Sequence, residues 1–133
     1  HRKRIYYYTG QTYPAYACGA GRAFISYFTP EQYKAYTADL CFAPITPFTV
    51  TSEAALRQCI EDGRRLGYYM CNQEIDEGVI SFAAPIFCGP GKVEAVLSVY
   101  GAASEMAAKR ETITKTLLTT ANECTQLAKQ MSL

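Results

Sequence analysis

The chain has 133 residues, of which 19% are charged and 13% aromatic, with a formal net charge of +1. This composition is typical of one globular domain and argues against intrinsic disorder. The near-zero charge does not require nucleic acid or an anionic membrane as a direct partner, and no apolar run approaches the roughly 18 residues of a membrane span.

The cysteines and the histidine decide what is expected of metals and disulfides. The six cysteines form no Cys-x-x-Cys pair, and the only histidine is His1. Structural zinc sites need clustered Cys and His, so we expect no metal and no cofactor. Because no signal peptide is recognisable, we expect the cysteines to be reduced and mostly buried in a cytoplasmic protein.

The first half of the chain predicts helices that follow a short β-prone start. A turn at Cys18–Gly21 opens a helix of about ten residues, whose inward stripe would be Ala20, Phe24 and Phe28. Thr29, Pro30 and Gln32 then form a capping-box start. A third helix begins after Thr51 or Ser52, buries Leu56, Cys59 and Ile60, and ends at Gly67.

The stretch Val79–Gly101 predicts a β-hairpin at the centre of the fold. Two apolar runs, Val79–Phe87 and Val93–Tyr100, are joined by a Gly- and Pro-rich turn at Cys88–Lys92. Neither run alternates cleanly between apolar and polar residues, so both faces should be covered. Pro85 donates no hydrogen bond, which favours a sheet edge or a bulge there.

Three hydroxyls interrupt this apolar hairpin: Ser81, Ser98 and Tyr100. If residues whose numbers sum to 179 or 181 face each other, all three lie on one face of the sheet, because side chains alternate with period two. That arrangement indicates a lined pocket. The alternative is that neighbouring backbone groups satisfy the hydroxyls.

The remaining segments complete an α/β (α+β) pattern of an antiparallel sheet with helices packed on it. Tyr68–Gln73 predicts a short strand, and the acids at Glu74–Gly78 indicate a solvated turn. A long helix over about Ala107–Gln130 should present an inward stripe. Its members are Ile113, Leu117, Ala121, Cys124, Ala128 and Met131.

Two kinds of chemistry can be drawn from the residues alone. Backbone amides at the Cys18–Gly21 helix start could bind a carboxylate or phosphate, although a simple turn explains the same Gly-Ala-Gly. Cys18 or Cys71 could act as a nucleophile, but such enzymes normally need a nearby histidine. We therefore expect no catalysis.

Six segments resemble the C-terminal part of IclR-type transcriptional regulators. The segment from Gly10 to Phe24 (GQTYPAYACGAGRAF) resembles the family's Gly-x-x-x-Pro-x-His-Ala-x-Gly-x-Gly-Lys-Ala. Further similar stretches follow in the family's order. They are Phe48–Thr51, Arg64–Tyr68, Glu74–Gly78, Ala83–Phe87 and Ala95–Gly101.

The resemblance implies that residues 1–133 are an effector-binding domain with a GAF-like sheet, incomplete at its N-terminal edge. The family's winged helix–turn–helix DNA-binding domain has no counterpart in this chain, so operator DNA would be contacted only through that other domain. The resemblance also implies a homodimer or homotetramer.

The resemblance further implies which residues bind a small organic acid. The amides would be those of Gly19 and Ala20, and the sheet positions would be Cys71, Ser81, Ser98 and Tyr100. Tyr16 stands at the family's histidine, and Ile5, Tyr13 and Val79 would add walls. Tyr13, Tyr16 and Tyr100 would form an aromatic-rich wall that glyoxylate leaves largely unfilled, so we expect a somewhat larger carboxylate, such as an aromatic or a sugar acid, unless Tyr100 fills the space itself.

The function expected is small-molecule sensing for a bacterial transcription factor. A free-standing GAF-like sensor is the alternative, and a cysteine-dependent enzyme is a more remote one.

Overall fold

The computed structural model describes Ile5 and residues 7–131. A 3-10 helix at Ala15–Ala17 precedes five α-helices and three strands. In chain order these are α1 (Gly19–Ile25), α2 (Pro30–Ala38), α3 (Glu53–Leu66), β1 (Tyr69–Asn72), β2 (Val79–Gly89), β3 (Lys92–Ala102), α4 (Ala103–Ala108) and α5 (Arg110–Met131). No helix among the described residues is long and apolar enough to cross a membrane.

The hairpin forms as predicted, with a tighter turn. The strands β2 and β3 pair antiparallel, and only Pro90 and Gly91 connect them. Gly91 has a φ of 67°, which glycine adopts without strain. The register pairs Ser81 with Tyr100 and Ala83 with Ser98, so facing residues sum to 181 and the three hydroxyls share one face.

Pro85 lies where the sheet stops being three strands wide. The sheet order is β1-β2-β3, and the pairing of β1 with β2 ends at Ala83. Pro85 therefore has a partner on the β3 side only, and a register shift follows Ile86. The predicted edge or bulge at this proline is confirmed.

Both faces of β2 are covered, whereas β3 has no buried residue, so the predicted coverage of both faces is wrong for β3. Ile80, Phe82 and Ala84 point to one face, where they pack with Met106 of α4 and with residues of α5. Helix α1 packs on the other face, and α3 contacts β1 on the same side. A second cluster fills the space between the 3-10 helix, α1, α2 and α3. The result is an α+β domain with its sheet between helical layers.

Helix α1 is shorter than predicted and presents a different side to the core. Its buried residues include Arg22, Ala23 and Ile25, whereas Phe24 is 40% exposed. The predicted stripe of Ala20, Phe24 and Phe28 is therefore wrong. That stripe considers apolar residues alone, whereas the side of α1 that faces the core carries Arg22, a charged residue with a buried partner.

The ends of α2 and α3 follow their sequence signals. Thr29 and Gln32 form the reciprocal capping box. Ser52 caps α3, and Gly67 ends it with a φ of 84°. Leu56 and Ile60 are buried.

The predicted long helix forms as α5 and begins three residues later than predicted. The short helix α4 lies before it, and Lys109, whose backbone angles are non-helical (φ −106°, ψ 15°), separates the two. Leu117 and Ala121 are buried as predicted, but Met131 is 80% exposed. Thr114 and Thr125 are buried instead, because each hydroxyl has a partner: Thr114 donates to the Arg110 carbonyl, and Thr125 accepts from the Phe87 amide.

The six cysteines are free thiols. Cys71 is buried, Cys41 is exposed, and the other four are partly exposed. The expectation of mostly buried cysteines is therefore wrong.

Candidate functional site

A cavity of about 230 Å³ lies between α1 and the hydroxyl-bearing face of the sheet. Eight residues predicted for the site line it: Tyr13, Gly19, Ala20, Cys71, Val79, Ser81, Ser98 and Tyr100. They come from the loop before α1, the first turn of α1 and all three strands. The tertiary fold thus gathers residues that are up to 87 positions apart, from Tyr13 to Tyr100, around one space.

The hairpin supplies the hydroxyl-bearing wall. Ser81 faces Tyr100 across the strands, and Ser98 faces Ala83 one pair further on. Because β2 and β3 are locked by this register, the three hydroxyls keep their spacing. Tyr100 is 44% exposed and forms part of the wall, so the alternative in which it fills the space is wrong.

Helix α1 supplies two backbone donors at its start. The first N–H groups of a helix have no acceptor within the helix, and here these belong to Gly19 and Ala20. The third, that of Gly21, is capped by the Cys18 sulfur at 3.4 Å. With the Gly21 amide capped by Cys18, the amides of Gly19 and Ala20 are the two helix-start donors that remain at the cavity.

Packing explains the glycines of this turn. A Cβ on Gly19 would lie 2.7 Å from the Tyr69 carbonyl oxygen, and one on Gly21 would lie 2.3 Å from the Cα of Ala15. Gly19 thus lets α1 approach the sheet closely, and Gly21 lets it approach the 3-10 helix. The same closeness brings the two free amides to the cavity wall.

Three tyrosine rings form a connected part of the wall. The Tyr7 ring lies 4.3 Å from that of Tyr100 at 85° and 5.7 Å from that of Tyr13 at 73°. The Tyr13 hydroxyl is buried and has no hydrogen-bond partner among the described residues. A buried hydroxyl without a partner costs about 1–3 kcal/mol, so a ligand atom at this point would relieve that penalty.

Two of the predicted site residues lie elsewhere. Tyr16 is 3% exposed, packs on Phe42 and donates its hydroxyl proton to the Ala43 carbonyl at 2.7 Å. Ile5 is half-buried but does not line the cavity. Tyr16 is turned away because the 3-10 helix directs it into the second core cluster, and the sequence alone did not predict that helix.

Six further residues line the cavity that were not among the predicted effector-binding residues: Tyr7, Tyr8, Gln11, Cys18, Ile75 and Asp76. The sequence had indicated Cys18 only as the start of the amide-bearing turn and as a possible nucleophile. Asp76 belongs to the acidic loop that was predicted to be a solvated turn. No feature of the neighbouring sequence indicates Tyr7 as a site residue, because only the tertiary fold brings it against Tyr100.

The phenols near Asp76 are held in their protonated form. Burial, followed by the negative charge of Asp76, raises the pKa of Tyr7 to about 12. The same two causes in the same order raise the pKa of Tyr13. Both hydroxyls can therefore act as hydrogen-bond donors at neutral pH.

A buried ion pair holds the loop that carries Asp76. Arg22 donates from Nη1 and Nη2 to the two carboxylate oxygens of Glu74 at 2.8 and 2.6 Å. Glu74 also accepts from the backbone amides of Val50 and Asn72. The prediction of a solvated acidic turn is wrong for Glu74, because its basic partner lies 52 residues earlier in the chain.

The thiols in the cavity are not activated. Burial raises the pKa of Cys18, and this outweighs the Gly21 amide and Arg22, which act in the opposite direction. Burial likewise raises the pKa of Cys71, which donates to the Ala17 carbonyl at 3.3 Å. Nucleophilic cysteines require a depressed pKa, so this cavity does not favour thiol catalysis. No cluster of three metal-ligating side chains occurs in residues 7–131 or at Ile5.

Comparisons with known proteins agree on one family. Residues 1–126 match the family model described as bacterial transcriptional regulator IclR, C-terminal. The HTH-type transcriptional regulator BhcR of Paracoccus denitrificans is 30% identical over 107 residues, which cover 80% of this chain and 38% of BhcR. The chain therefore spans less than two fifths of that relative's length.

Solved structures show the same fold. The IclR transcriptional regulator of Alicyclobacillus acidocaldarius superposes with a TM-score of 0.85 at 25% identity, covering 94% of this chain and 50% of that one. The inducer-binding domain of PobR from Acinetobacter, a double mutant in complex with 3-hydroxybenzoic acid, superposes with a TM-score of 0.77. It is 23% identical, with 94% of this chain and 74% of that one covered, and shares the fold.

The relatives matched in sequence are transcriptional regulators and not enzymes. With a family model covering nearly the whole chain and the fold of the family's C-terminal domains, this chain belongs to the IclR family of bacterial transcriptional regulators, as their C-terminal domain.

Proposed function

We propose that this domain senses a small organic acid and that the cavity between α1 and the hairpin is where the acid binds. The observation that carries the proposal is the cavity itself, which brings hydroxyl donors and the amides of the helix start to one space of about 230 Å³. Pockets that bind small molecules typically combine such apolar walls with a few convergent polar groups.

The polar groups suit a carboxylate. The amides of Gly19 and Ala20, with the hydroxyls of Ser98 and Ser81, are donors on neighbouring parts of the wall. A carboxylate accepts up to four such hydrogen bonds and carries no proton of its own at neutral pH. Hydrogen bonds to a charged acceptor are also stronger than neutral ones.

The tyrosines favour an acid with more than two or three carbons. Tyr7, Tyr13 and Tyr100 bound a large aromatic wall that glyoxylate would leave mostly uncovered. The same fold in the inducer-binding domain of PobR holds 3-hydroxybenzoic acid, so the fold accommodates an acid of that size.

The wider role rests on the family. We infer that the acid modulates operator binding by a winged helix–turn–helix domain in another part of the whole protein, and that residues 1–133 are one domain whose sheet is completed N-terminally. The regulator would act in the cytoplasm as a homodimer or homotetramer, since binding to a symmetric operator requires an oligomer with at least one two-fold axis. Sedimentation of this domain at high concentration tests self-association, and a strict monomer would contradict it.

A free-standing sensor is the second candidate. The full coding sequence distinguishes the two candidates. About 80–110 further N-terminal residues with a recognition-helix pattern would favour the regulator.

A thermal-shift screen of small organic acids tests the binding proposal. The true effector should raise the melting temperature of the domain. Ser98→Ala should lower the affinity for that effector roughly tenfold or more, because one hydrogen bond to a charged group is lost. Ser104→Ala on α4 is the matched control, since Ser104 is exposed and does not line the cavity. An effector that is indifferent to Ser98→Ala, or a screen with no stabilising acid, would refute the site.

A further inference from the structure

The connection between α2 and α3 exposes an apolar surface. No charged residue occurs between Asp39 and Glu53. Within residues 41–48, which we call the apolar loop, Ile45 is 43% exposed and Phe48 52%. All the exposed residues of this loop are apolar: Cys41, Ala43, Pro44, Ile45, Pro47 and Phe48. Single exposed apolar residues are normal, whereas a contiguous group of them marks an interaction surface.

Hydrogen bonds hold the apolar loop in one shape. The hydroxyls of Thr46 and Thr49 donate to carbonyls of the residues that follow β1, at 2.6 and 2.7 Å. The Ala43 carbonyl accepts from the Tyr16 hydroxyl at 2.7 Å. The two prolines of the loop fix their own φ angles. A surface that is rigid before binding loses little conformational entropy on association, so this loop suits a folded partner.

A groove of about 820 Å³ lies between α2 and α3, and the connection that carries the apolar loop starts and finishes at it. Ala38, the last residue of α2, and Glu53, the first of α3, both line this α2–α3 groove. Its floor includes Ile25 and Ile60, which are 2% and 7% exposed. Helix α2 has no buried residue, which agrees with the open space beside it.

The charges around the groove favour an uncharged occupant. Its lining includes Lys34, Arg57 and Arg64 but also Glu53 and Glu61, so the two signs are mixed. Glu53 already pairs with Arg57 at 2.8 Å. Nucleic acid or a strongly acidic segment would be attracted by a rim of one sign, which this groove lacks. The apolar loop carries no charge and therefore matches the groove.

We propose that the domain forms a two-fold dimer in which the apolar loop of each copy enters the α2–α3 groove of the other. A surface that carries both halves of a contact can pair with a second copy of itself about a two-fold axis. This inference rests on the homo-oligomer of the proposed function and names the surface that the oligomer uses. Phe48 is the central anchor, because aromatic side chains are enriched in the cores of interfaces.

One variant on each half of the contact tests this dimer. Phe48→Lys places a cation on the loop, and Ala38→Glu places a carboxylate in the groove, both at exposed positions. In sedimentation velocity over a concentration series, each variant should raise the dissociation constant of the dimer about tenfold or more. Ile45→Lys should act like Phe48→Lys. Leu127→Lys is the matched control, since Leu127 is 57% exposed on α5 and does not line the groove.

Mixing the two variants tests the reciprocity of the contact. A mixed dimer of Phe48→Lys and Ala38→Glu contains one unaltered loop–groove contact, and in the other contact the introduced charges have opposite signs. The equimolar mixture should therefore associate about fivefold or more tightly than either variant alone. Thermal unfolding of each variant verifies that the domain remains folded.

The other outcomes would each overturn this interface. If both variants associate as tightly as the parent, the copies meet elsewhere and the oligomer stands without this surface. A loss in Phe48→Lys alone, or a mixture without recovery, would show that the loop contacts something other than the groove. A parent domain that stays monomeric at millimolar concentration would refute the proposed self-association as well. None of these results bears on acid sensing, which Ser98→Ala tests at a cavity that shares no residue with the groove.

Discussion

Arg22 and Glu74 form a bidentate ion pair inside the protein, where Arg22 is 1% exposed and Glu74 5%. Two further Arg22 N–H groups are also used, because Nε donates to the Tyr16 carbonyl and Nη1 to that of Met70. One guanidinium thus joins the 3-10 helix, α1, β1 and the loop after it. That loop carries Asp76 into the cavity, so the pair fixes one end of the candidate site.

Breaking this pair should destabilise the domain strongly. Glu74→Ala leaves a buried guanidinium without its counter-charge, and we expect the free energy of unfolding to fall by about 3–5 kcal/mol. Urea denaturation measures the change. Glu53→Ala is the control, since Glu53 pairs with Arg57 on the surface at 2.8 Å and such pairs contribute about 0.5 kcal/mol or less. Equal effects of the two variants would contradict the assignment of a structural role to the buried pair.

Removing the hydroxyls of Tyr16 and Tyr13 should have different effects on stability and on effector binding. Tyr16→Phe removes a hydroxyl bonded to the Ala43 carbonyl and should lower the free energy of unfolding by about 1 kcal/mol. Tyr13→Phe removes a buried hydroxyl that has no partner among the described residues and should leave stability equal or higher. If the ligand satisfies that hydroxyl, Tyr13→Phe should also weaken effector binding. A loss of stability in Tyr13→Phe would show that the hydroxyl is already bonded.

Gly63 in α3 should not tolerate a methyl group. An added Cβ would lie 2.0 Å from an atom of the Tyr69 ring, which is itself buried. Gly63→Ala should therefore lower the free energy of unfolding by about 1–3 kcal/mol, although alanine favours helices by about 1 kcal/mol over glycine. In Gly89→Ala the new Cβ meets only the Lys92 side chain at 3.7 Å, so that variant should remain close to the parent. Thermal unfolding of the two variants distinguishes these outcomes.

Stability should fall in alkali because of Tyr69. Burial raises the pKa of its hydroxyl to about 12, against about 10 in an unfolded chain. Between these values the unfolded state has released the proton and the folded state has kept it. The contribution of Tyr69 to the free energy of unfolding is thus fully present below about pH 10 and is lost as the pH rises towards about 12. Tyr7, whose pKa is also raised to about 12, adds to the same loss.

Urea midpoints measured from about pH 8 to 11 would reveal this slope. Tyr69→Phe should flatten it, whereas Tyr8→Phe, at a side chain that is 71% exposed, should not. A slope unchanged by Tyr69→Phe would contradict the buried phenol as its source.

Local signals predicted local features correctly. The capping box at Thr29–Gln32, the end of α3 at Gly67 and the hairpin register each depend on residues within a few positions of one another or on the strand period of two. Their physics is contained in the segment, so the sequence determined them. It also determined the family, through motifs spread in order along the chain.

The tertiary structure decided which polar and aromatic side chains meet. Arg22 is buried because Glu74 reaches it from 52 residues away, and no pattern within α1 indicates that pairing. Tyr7 enters the cavity wall because it packs on Tyr100, 93 positions later in the chain. Tyr16 leaves the wall because a 3-10 helix turns it towards Ala43. Burying a charge or a hydroxyl is favourable only when a partner compensates its lost hydration, and that partner is set by long-range packing.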